Sequence, residues 1–245
     1  MTSGSRSAAW AGWTIRLDSD PNVVKTDPES FIRANTDILA PPHVPEIRLH
    51  LAGEAHELWL KTEEELERIG LPPPFWAFAW AGGQGLARYV LDHPETVRGR
   101  RVIDFASGSG LVAIAAKLAG ADEVTAADID PWSETAARLN AGLNGVSLAF
   151  TGDDIVGSER AADVYLAGDV FYDKSFADLL LPWFDALERA GAVVLVGDPG
   201  RAYCPRGRMT DLATYEVPVT RALEDSEVKR TTVWRFGPAV AAGDD

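Results

Sequence analysis

From Arg101 onward, short apolar runs alternate with helical stretches, and this alternation restricts the possible fold more than any other feature of the chain. Such a pattern is typical of βαβ units, in which parallel strands are buried beneath helices. We expect strands at residues 102–105, 124–127, 148–150, 164–167 and 193–196, and helices at 110–119, 131–144 and about 175–190. The sequence therefore predicts an α/β domain with a mostly parallel, Rossmann-like sheet.

The signals at the ends of elements support this interpretation. Asp130 can cap the second helix, Pro131 stands at its first position, and Asn144-Gly145 can end it. Two more extended segments are expected at 215–219 and 228–236, separated by an acidic turn.

The N-terminal part of the chain has a different composition. Residues 1–25 are rich in Ser, Gly and Ala, and we expect little order there. Residues 26–71 form an extension with proline clusters and one predicted helix at 55–69. The domain proper is expected at 72–240. At its start Trp76, Phe78 and Trp80 alternate as in a half-buried extended segment.

The segment VIDFASGSGLVA (102–113) predicts a strand, a glycine loop and a helix. Gly108 and Gly110 permit tight turns and close approach of a ligand at the helix N-terminus. The next strand ends at Asp128, followed by Ile129, and a carboxylate there can accept both hydroxyls of a ribose. Gly108 and Gly110, with Ala113, also fit the dinucleotide fingerprint, so a nicotinamide-dependent oxidoreductase is an alternative.

Asp104 favours S-adenosylmethionine over a dinucleotide. It lies on the strand, four residues before Gly108, where dinucleotide-binding strands are normally apolar. Its carboxylate would repel a pyrophosphate but suits the amino group of a methionine tail. After the third strand, GDDIVG offers an acid followed by an apolar residue, which is typical of adenine recognition. Asp154 fits that role better than Asp153, although either could be an ordinary loop acid.

The segment LAGDVFYDK places Asp169 and Tyr172 beyond the fourth strand, at the carboxyl edge where such sheets bind ligands. It lacks the proline pair typical of enzymes that methylate amides or base amino groups. An acid with an aromatic residue three positions later suits a cationic or flexible amine. For Tyr172 alone, ordinary core packing is an equally good interpretation.

Composition restricts the partners and the compartment. The net charge of −14 argues against nucleic acid and suits a basic protein surface, or it serves solubility alone. With one cysteine, Cys204, and four histidines without ligand spacing, we expect no disulfide and no metal site. We find no signal peptide and no apolar stretch of membrane-spanning length, so a cytoplasmic location is expected.

From about Phe31 to Phe236 the chain resembles the seven-β-strand protein-lysine methyltransferases of family 16. Within that family it is similar to the group that modifies the β subunit of electron transfer flavoprotein. The resemblance rests on PPPFWAFAWAGGQGLARYVLD, VIDFASGSG, ADIDP, GDVFYD, GDPGRAY and EVKRTTVWRF. Two departures are Ala106, where many methyltransferases have a glycine, and Ala81, where the group often has proline.

The resemblance implies a seven-stranded sheet with an antiparallel last strand and S-adenosylmethionine as methyl donor. It places Asp169 and Tyr172 at the substrate, Asp104 and Asp128 at the cofactor, and Trp80 as a cofactor wall. The expected substrate is a lysine of the electron transfer flavoprotein β subunit. Alternatives on the same scaffold are a ribosomal-protein or small-molecule N-methyltransferase, and a cofactor-binding module without catalysis.

Overall fold

The computed structural model of the chain describes residues 9–10, 13–14, 27–53, 73–158, 161–219 and 226–237. The predicted helix at 55–69 and nearly all of residues 1–25 lie outside these ranges. Ala9–Trp10 (β1) and Trp13–Thr14 (β2) pair antiparallel.

A seven-stranded sheet forms the centre of the molecule. Its strands are Arg101–Phe105 (β5), Glu123–Ala127 (β6), Ala149–Thr151 (β7), Val164–Gly168 (β8), Val193–Asp198 (β9), Met209–Pro218 (β10) and Val228–Phe236 (β11). They lie in the order β10-β11-β9-β8-β5-β6-β7. Only the last strand in sequence, β11, runs antiparallel to its two neighbours in this sheet. The predicted fold class is confirmed.

The site is positioned by the strand order. From β5 the chain builds outward through β6 and β7, then returns to place β8 and β9 on the other side of β5. The carboxyl ends of β5 and β8 therefore lie at the point where the strand order reverses, which is where sheets of this kind bind ligands.

Five α-helices are described: Pro28–Asn35 (α1), Ala81–Asp92 (α2), Leu111–Leu118 (α3), Pro131–Leu143 (α4) and Lys174–Arg189 (α5). The predicted ends of α4 are confirmed. The carboxylate of Asp130 accepts a hydrogen bond from the Trp132 amide, and Gly145 follows the C-cap with a φ of 66°. None of the helices in the described part of the chain is long and apolar enough to cross a membrane.

Two sequence expectations were wrong in part. Strand β10 begins at Met209, six residues before the predicted start, because an edge strand with several exposed polar residues lacks a continuous apolar run. The segment with Trp76 and Phe78 is not extended throughout: Phe75–Ala77 form a 3₁₀ turn that buries Trp76. There a short turn, not a strand, sets which rings face the core.

The extension packs onto the domain. Its strands Asp37–Leu39 (β3) and Leu49–Leu51 (β4) pair antiparallel, and β4 is buried in the same apolar core as α2 and α3. The side chain of Asn140 on α4 accepts a hydrogen bond from the His50 amide at 2.7 Å and donates one to the Ser109 carbonyl at 2.8 Å. Asn144 exchanges two hydrogen bonds with the backbone of Arg48. One helix thus ties the extension to the glycine loop.

Candidate active site

The glycine loop between β5 and α3 has three residues in the left-handed region. They are Ala106 (φ 54°), Gly108 (φ 50°) and Gly110 (φ 78°). A Cβ on Gly110 would lie 2.9 Å from the Cβ of Ala137, so packing against α4 requires glycine there. A Cβ on Gly108 would meet nothing closer than 3.7 Å. The loop at Gly108 therefore lies in ordinary contact with the backbone of Phe75 and Trp76, without a clash.

Ala106 occupies the position where many methyltransferases have glycine. A small side chain fits there, but its left-handed conformation costs about 1–2 kcal/mol for an alanine. The departure from the family pattern is therefore tolerated at a conformational cost.

Asp128 fixes the loop from the neighbouring strand end. Its Oδ2 accepts a hydrogen bond from the Gly108 amide at 2.8 Å, and its Oδ1 accepts one from the Asp130 amide at 2.9 Å. Burial raises the pKa of this carboxyl, and the two backbone donors oppose the shift. The side chain is only partly buried, as is that of Ile129. The Ser133 hydroxyl is a third donor to this carboxylate, which leaves one of its roughly four acceptor sites for a ribose hydroxyl.

Asp104 lies beneath the loop and is 1% exposed. Its Oδ2 accepts a hydrogen bond from the Ala113 amide at 2.9 Å. Burial raises the pKa of the carboxyl to about 8; the hydrogen bond from Ala113 opposes this shift, and the charge of Asp128 adds to it. An ammonium group brought close would reverse the shift by favouring the carboxylate. The position suits a ligand that carries an amino group.

Asp154 lies on an exposed loop, where its Oδ1 accepts a hydrogen bond from the Val156 amide at 3.1 Å. Asp153 is also exposed and interacts with the Thr151 hydroxyl at 3.1 Å. The next residue, Ile155, is buried and anchors this loop to the core. The choice between the two acids for adenine stays a prediction.

An aromatic cluster covers the glycine loop. Trp80 precedes α2, and its Nε1 donates a hydrogen bond to the Phe75 carbonyl at 3.1 Å. That carbonyl and the Cα of Trp76 each lie 3.7 Å from the Cβ position of Gly108. The Phe75 ring, which is exposed, lies 6.0 Å from the Trp80 ring and 6.4 Å from the Tyr172 ring. Phe75 thus connects the predicted cofactor wall with the predicted substrate residue, and the sequence analysis did not identify it.

Asp169 follows β8 in a left-handed conformation, with a φ of 58°. Its Oδ2 accepts a hydrogen bond from the Gly83 amide at 2.9 Å. Its Oδ1 accepts two from Arg201, from Nε at 3.1 Å and Nη2 at 2.6 Å. The carboxylate is therefore held from both sides at the reversal point of the sheet.

Tyr172 is 46% exposed, which excludes the core-packing interpretation. Partial burial of its hydroxyl, followed by the charges of Asp173 and Asp128, raises the pKa of the phenol. The hydroxyl is therefore neutral at physiological pH.

Arg201 is a site residue that sequence reasoning missed. It lies in the turn after β9, where Oδ1 of Asp198 accepts hydrogen bonds from the amides of Gly200 and Arg201 at 2.6 and 2.8 Å. Its guanidinium stands 5.8 Å above the centre of the Trp80 ring. The sequence feature that could have indicated Arg201 is the GDPGR turn, which directly follows an apolar strand and so lies at the same sheet edge as Asp169.

The N-terminus of α2 touches the strand ends without intervening side chains. A Cβ on Gly82 would lie 2.3 Å from the Gly197 carbonyl and 2.5 Å from Oδ2 of Asp169. A Cβ on Gly168 would lie 2.9 Å from the Cα of Gly83. This close approach is what brings the Gly83 amide to Asp169.

Together these residues form a glycine loop with the acids Asp104 and Asp128, an aromatic wall beside it, and the fixed carboxylate of Asp169. The arrangement can hold a small charged ligand along the loop and orient a polar group at Asp169. In the part of the chain that the structure describes, no three acidic, histidine or cysteine side chains gather as a metal site would require.

The chain is similar to one group of known proteins over part of its length and to another group over most of its length. The family model described as "Ribosomal protein L11 methyltransferase (PrmA)" matches residues 88–169. A Xenopus laevis protein named electron transfer flavoprotein beta subunit lysine methyltransferase is 38% identical over 95% of this chain and 99% of its own length. The Homo sapiens protein of that name is 36% identical over 86% of this chain and 84% of its own. A ribosomal protein L11 methyltransferase of Hahella chejuensis is 51% identical but covers 27% of each chain.

Solved structures share the fold at low sequence identity. Trm5b from Pyrococcus abyssi superimposes with a TM-score of 0.51 and 17% identity, over 83% of this chain and 56% of its own. A Thermoplasma acidophilum protein gives a TM-score of 0.50 and 20% identity, over 64% and 90%. At these identities the likeness concerns the fold alone.

Proposed function

The chain belongs to the family of electron transfer flavoprotein β-subunit lysine methyltransferases, and from this premise we propose that its substrate is a lysine of an electron transfer flavoprotein β subunit. The observation that carries the proposal is the Asp169 carboxylate. It is fixed by Gly83 and Arg201 at the sheet edge that also holds the glycine loop, and the exposed Tyr172 follows it three residues later in the chain.

S-adenosylmethionine supplies an activated methyl group on a positively charged sulfur. Two observations fit this group: the Asp128 carboxylate at the strand end beside the Gly108 amide, and the buried acid Asp104, which an amino group would ionise. We assign the methionine tail to Asp104, Gly108 and Gly110, and the ribose to Asp128. Trp80 would line the site, and Ile129 and Asp154 would contact the adenine.

The chemical work of the protein is alignment and exclusion of water. Transfer to nitrogen requires the neutral amine, because an ammonium has no lone pair to donate. Asp169 can accept a hydrogen bond from that amine and so direct its lone pair along the loop. Phe75, Trp80 and Tyr172 enclose the apolar stem of the lysine and remove water from its nitrogen. Such desolvation lowers the pKa of the lysine and raises the fraction that can react.

One alternative substrate has support of its own. The Hahella chejuensis relative is similar over 27% of the chain, and the family model over residues 88–169 connects the central strands with ribosomal protein L11 methyltransferases. That similarity covers the glycine loop, Asp128 and Asp169 but ends before Arg201. It therefore supports the shared cofactor half of the site more than a shared substrate.

The test is methyl transfer to defined proteins. The enzyme is incubated with methyl-labelled S-adenosylmethionine and either the purified electron transfer flavoprotein β subunit or ribosomal protein L11. We expect label on lysines of the β subunit, located by mass spectrometry, and none with the Asp128→Ala variant. Label on L11 alone would transfer the assignment to the ribosomal substrate.

A further inference from the structure

The ion pair between Asp169 and Arg201 lies at the centre of the site. The Arg201 Nη2 is 2.6 Å from Asp169 Oδ1, and the two side chains are 20% and 11% exposed. The same guanidinium stands over the Trp80 ring. Arg201 therefore contacts the Asp169 carboxylate and also lies over the aromatic wall at Trp80. Its guanidinium stays charged at every physiological pH.

We propose that Arg201 is a positioning residue that neutralises Asp169, so that the bound lysine is oriented by a carboxylate without being held as an ammonium. The inference rests on the proposed function. It explains how a carboxylate can lie beside the lysine although the reaction requires a neutral amine.

The physical problem is one of charge. An unperturbed lysine, with a pKa of about 10.4, is neutral in only about one molecule in a thousand near pH 7.4. An unpaired carboxylate beside the amine would raise that pKa further and lower the reactive fraction. A cation bonded to the same carboxylate cancels most of this effect, because the pair has no net charge.

The hydrogen bonds on Asp169 keep its orienting role intact. Gly83 donates to Oδ2 and Arg201 donates to Oδ1, so both oxygens are fixed in direction. Both lone pairs of Oδ1 are engaged by the guanidinium, so the N–H of an amine would be accepted at Oδ2. The carboxylate can therefore receive an N–H from a neutral amine while its charge is balanced from the opposite side.

Other charged groups lie around the pair. From β9, Asp198 accepts the Gly200 and Arg201 amides; burial raises the pKa of its carboxyl, and the charge of Arg201 opposes that shift. At α5, Asp173 caps the helix and Lys174 pairs with Asp178. Across the glycine loop, Asp104 and Asp128 accept backbone hydrogen bonds. The first turn of α2 carries no acidic residue. Arg201 is thus the cation that the structure brings to Asp169.

The experiment measures the pH dependence of a single turnover, with enzyme in excess over the electron transfer flavoprotein β subunit and saturating S-adenosylmethionine. In Arg201→Gln we expect the midpoint of the rising rate to move up by about one pH unit or more, since a charge a few ångströms from the amine is unmasked. The rate near neutral pH should fall about tenfold and approach that of the wild type at high pH.

Three variants make the interpretation specific. Arg201→Lys keeps the charge, and Arg201→Gln combined with Asp169→Asn removes both charges, so both should keep a midpoint near that of the wild type even if they turn over slowly. Arg208→Gln is the matched control. Its guanidinium pairs with Asp185 and stands over the Phe236 ring, away from the site, and its loss should change neither midpoint nor rate.

A loss of rate in Arg201→Gln that is equal at every pH would assign Arg201 a purely structural role and overturn the inference. Should Arg201→Gln fail to fold, a raised midpoint in Arg201→Lys or in the double variant would overturn it equally. Wild-type enzyme that methylates no lysine of the β subunit would overturn the proposed function and the inference with it. Normal wild-type methylation with unmoved midpoints would overturn the inference alone.

Discussion

Asp104 is a carboxyl group that the fold keeps protonated when no cation is near. Burial raises its pKa to about 8, whereas an aspartate in an unfolded chain has a pKa of about 3.9. Between these values the folded protein binds more protons than the unfolded chain. The contribution of Asp104 to the free energy of unfolding is therefore most favourable below about pH 4 and is lost as the pH rises to about 8.

From this linkage we predict that Asp104→Asn flattens the decline of stability with pH. The asparagine oxygen can still accept the Ala113 amide, but the side chain no longer titrates. The fall in unfolding free energy between about pH 5 and pH 8, measured by urea denaturation, should shrink by at least about 1.4 kcal/mol, the equivalent of one pKa unit. Asp130, whose pKa burial raises to about 7, should keep part of the slope.

Asp163→Asn is the control for this prediction. Hydrogen bonds from Arg101 lower the pKa of Asp163 to about 2, so its contribution is present above about pH 4 and is lost only in stronger acid. Its replacement should leave the slope between pH 5 and 8 unchanged. An equal slope in wild type and Asp104→Asn would show that Asp104 is ionised throughout.

At the level of single residues, the sequence identified the groups whose positions follow from strand ends. Asp104, Asp128 and Asp169 each occupy a fixed place on or just after a parallel strand, so the fold alone brings them to one edge. Arg201 and Phe75 could not be found in this way. Their roles depend on which partners a turn happens to reach, and an isolated loop arginine or exposed ring is more often simply solvated.

Among the elements, α2 makes the most demanding contact. Its first turn lies directly on the ends of β8 and β9, with glycine against glycine. Two neighbouring glycines in this turn have very different surroundings. Gly82 faces the Gly197 carbonyl, whereas a Cβ on Gly83 would find only the Val112 Cγ2, at 3.9 Å.

We therefore predict opposite results for two alanine substitutions. Gly82→Ala should destabilise the protein by about 1–3 kcal/mol or more and lower methyl transfer, because α2 must move away from Asp169. Gly83→Ala should leave activity intact and change stability little or raise it by up to about 1 kcal/mol. Thermal unfolding and the methylation assay measure both. Equal stability of the two variants would mean that α2 can shift without cost.

The sequence predicted elements best where both faces of a strand are covered. For β5, β6, β8 and β9 the apolar runs located the strands to within one or two residues, and Asp130 with Pro131 located the start of α4. The edge strand β10 was found only in part. The pairing of β3 with β4 was not foreseen, because three-residue strands give too short a pattern.

For the whole molecule, the net charge of −14 creates a field that reaches farther in dilute salt. The screening length falls from about 30 Å at 0.01 M salt to about 8 Å at 0.15 M. A substrate that presents a basic surface around its lysine would be attracted over this distance before contact.

We predict that kcat/KM for the protein substrate falls by on the order of tenfold between these salt concentrations. The single-turnover rate of the preformed complex should stay constant, because its charges are already in contact. Steady-state and rapid-mixing assays at matched pH separate the two quantities. If kcat/KM is flat, the charge serves solubility and does not guide the substrate.

The amides of Asn140 and Asn144 also bear on how this protein could be recombined with its relatives. They join β4 of the extension to α4, and Asn140 reaches on to the carbonyl of Ser109 in the glycine loop. A chimera that took residues 27–53 from one homologue and the remainder from another would place its seam across these bonds. Because the extension contributes only backbone groups to these bonds, the donor of the remainder must carry amide side chains at positions 140 and 144, whereas the side chains of the extension at positions 48 and 50 are free to differ.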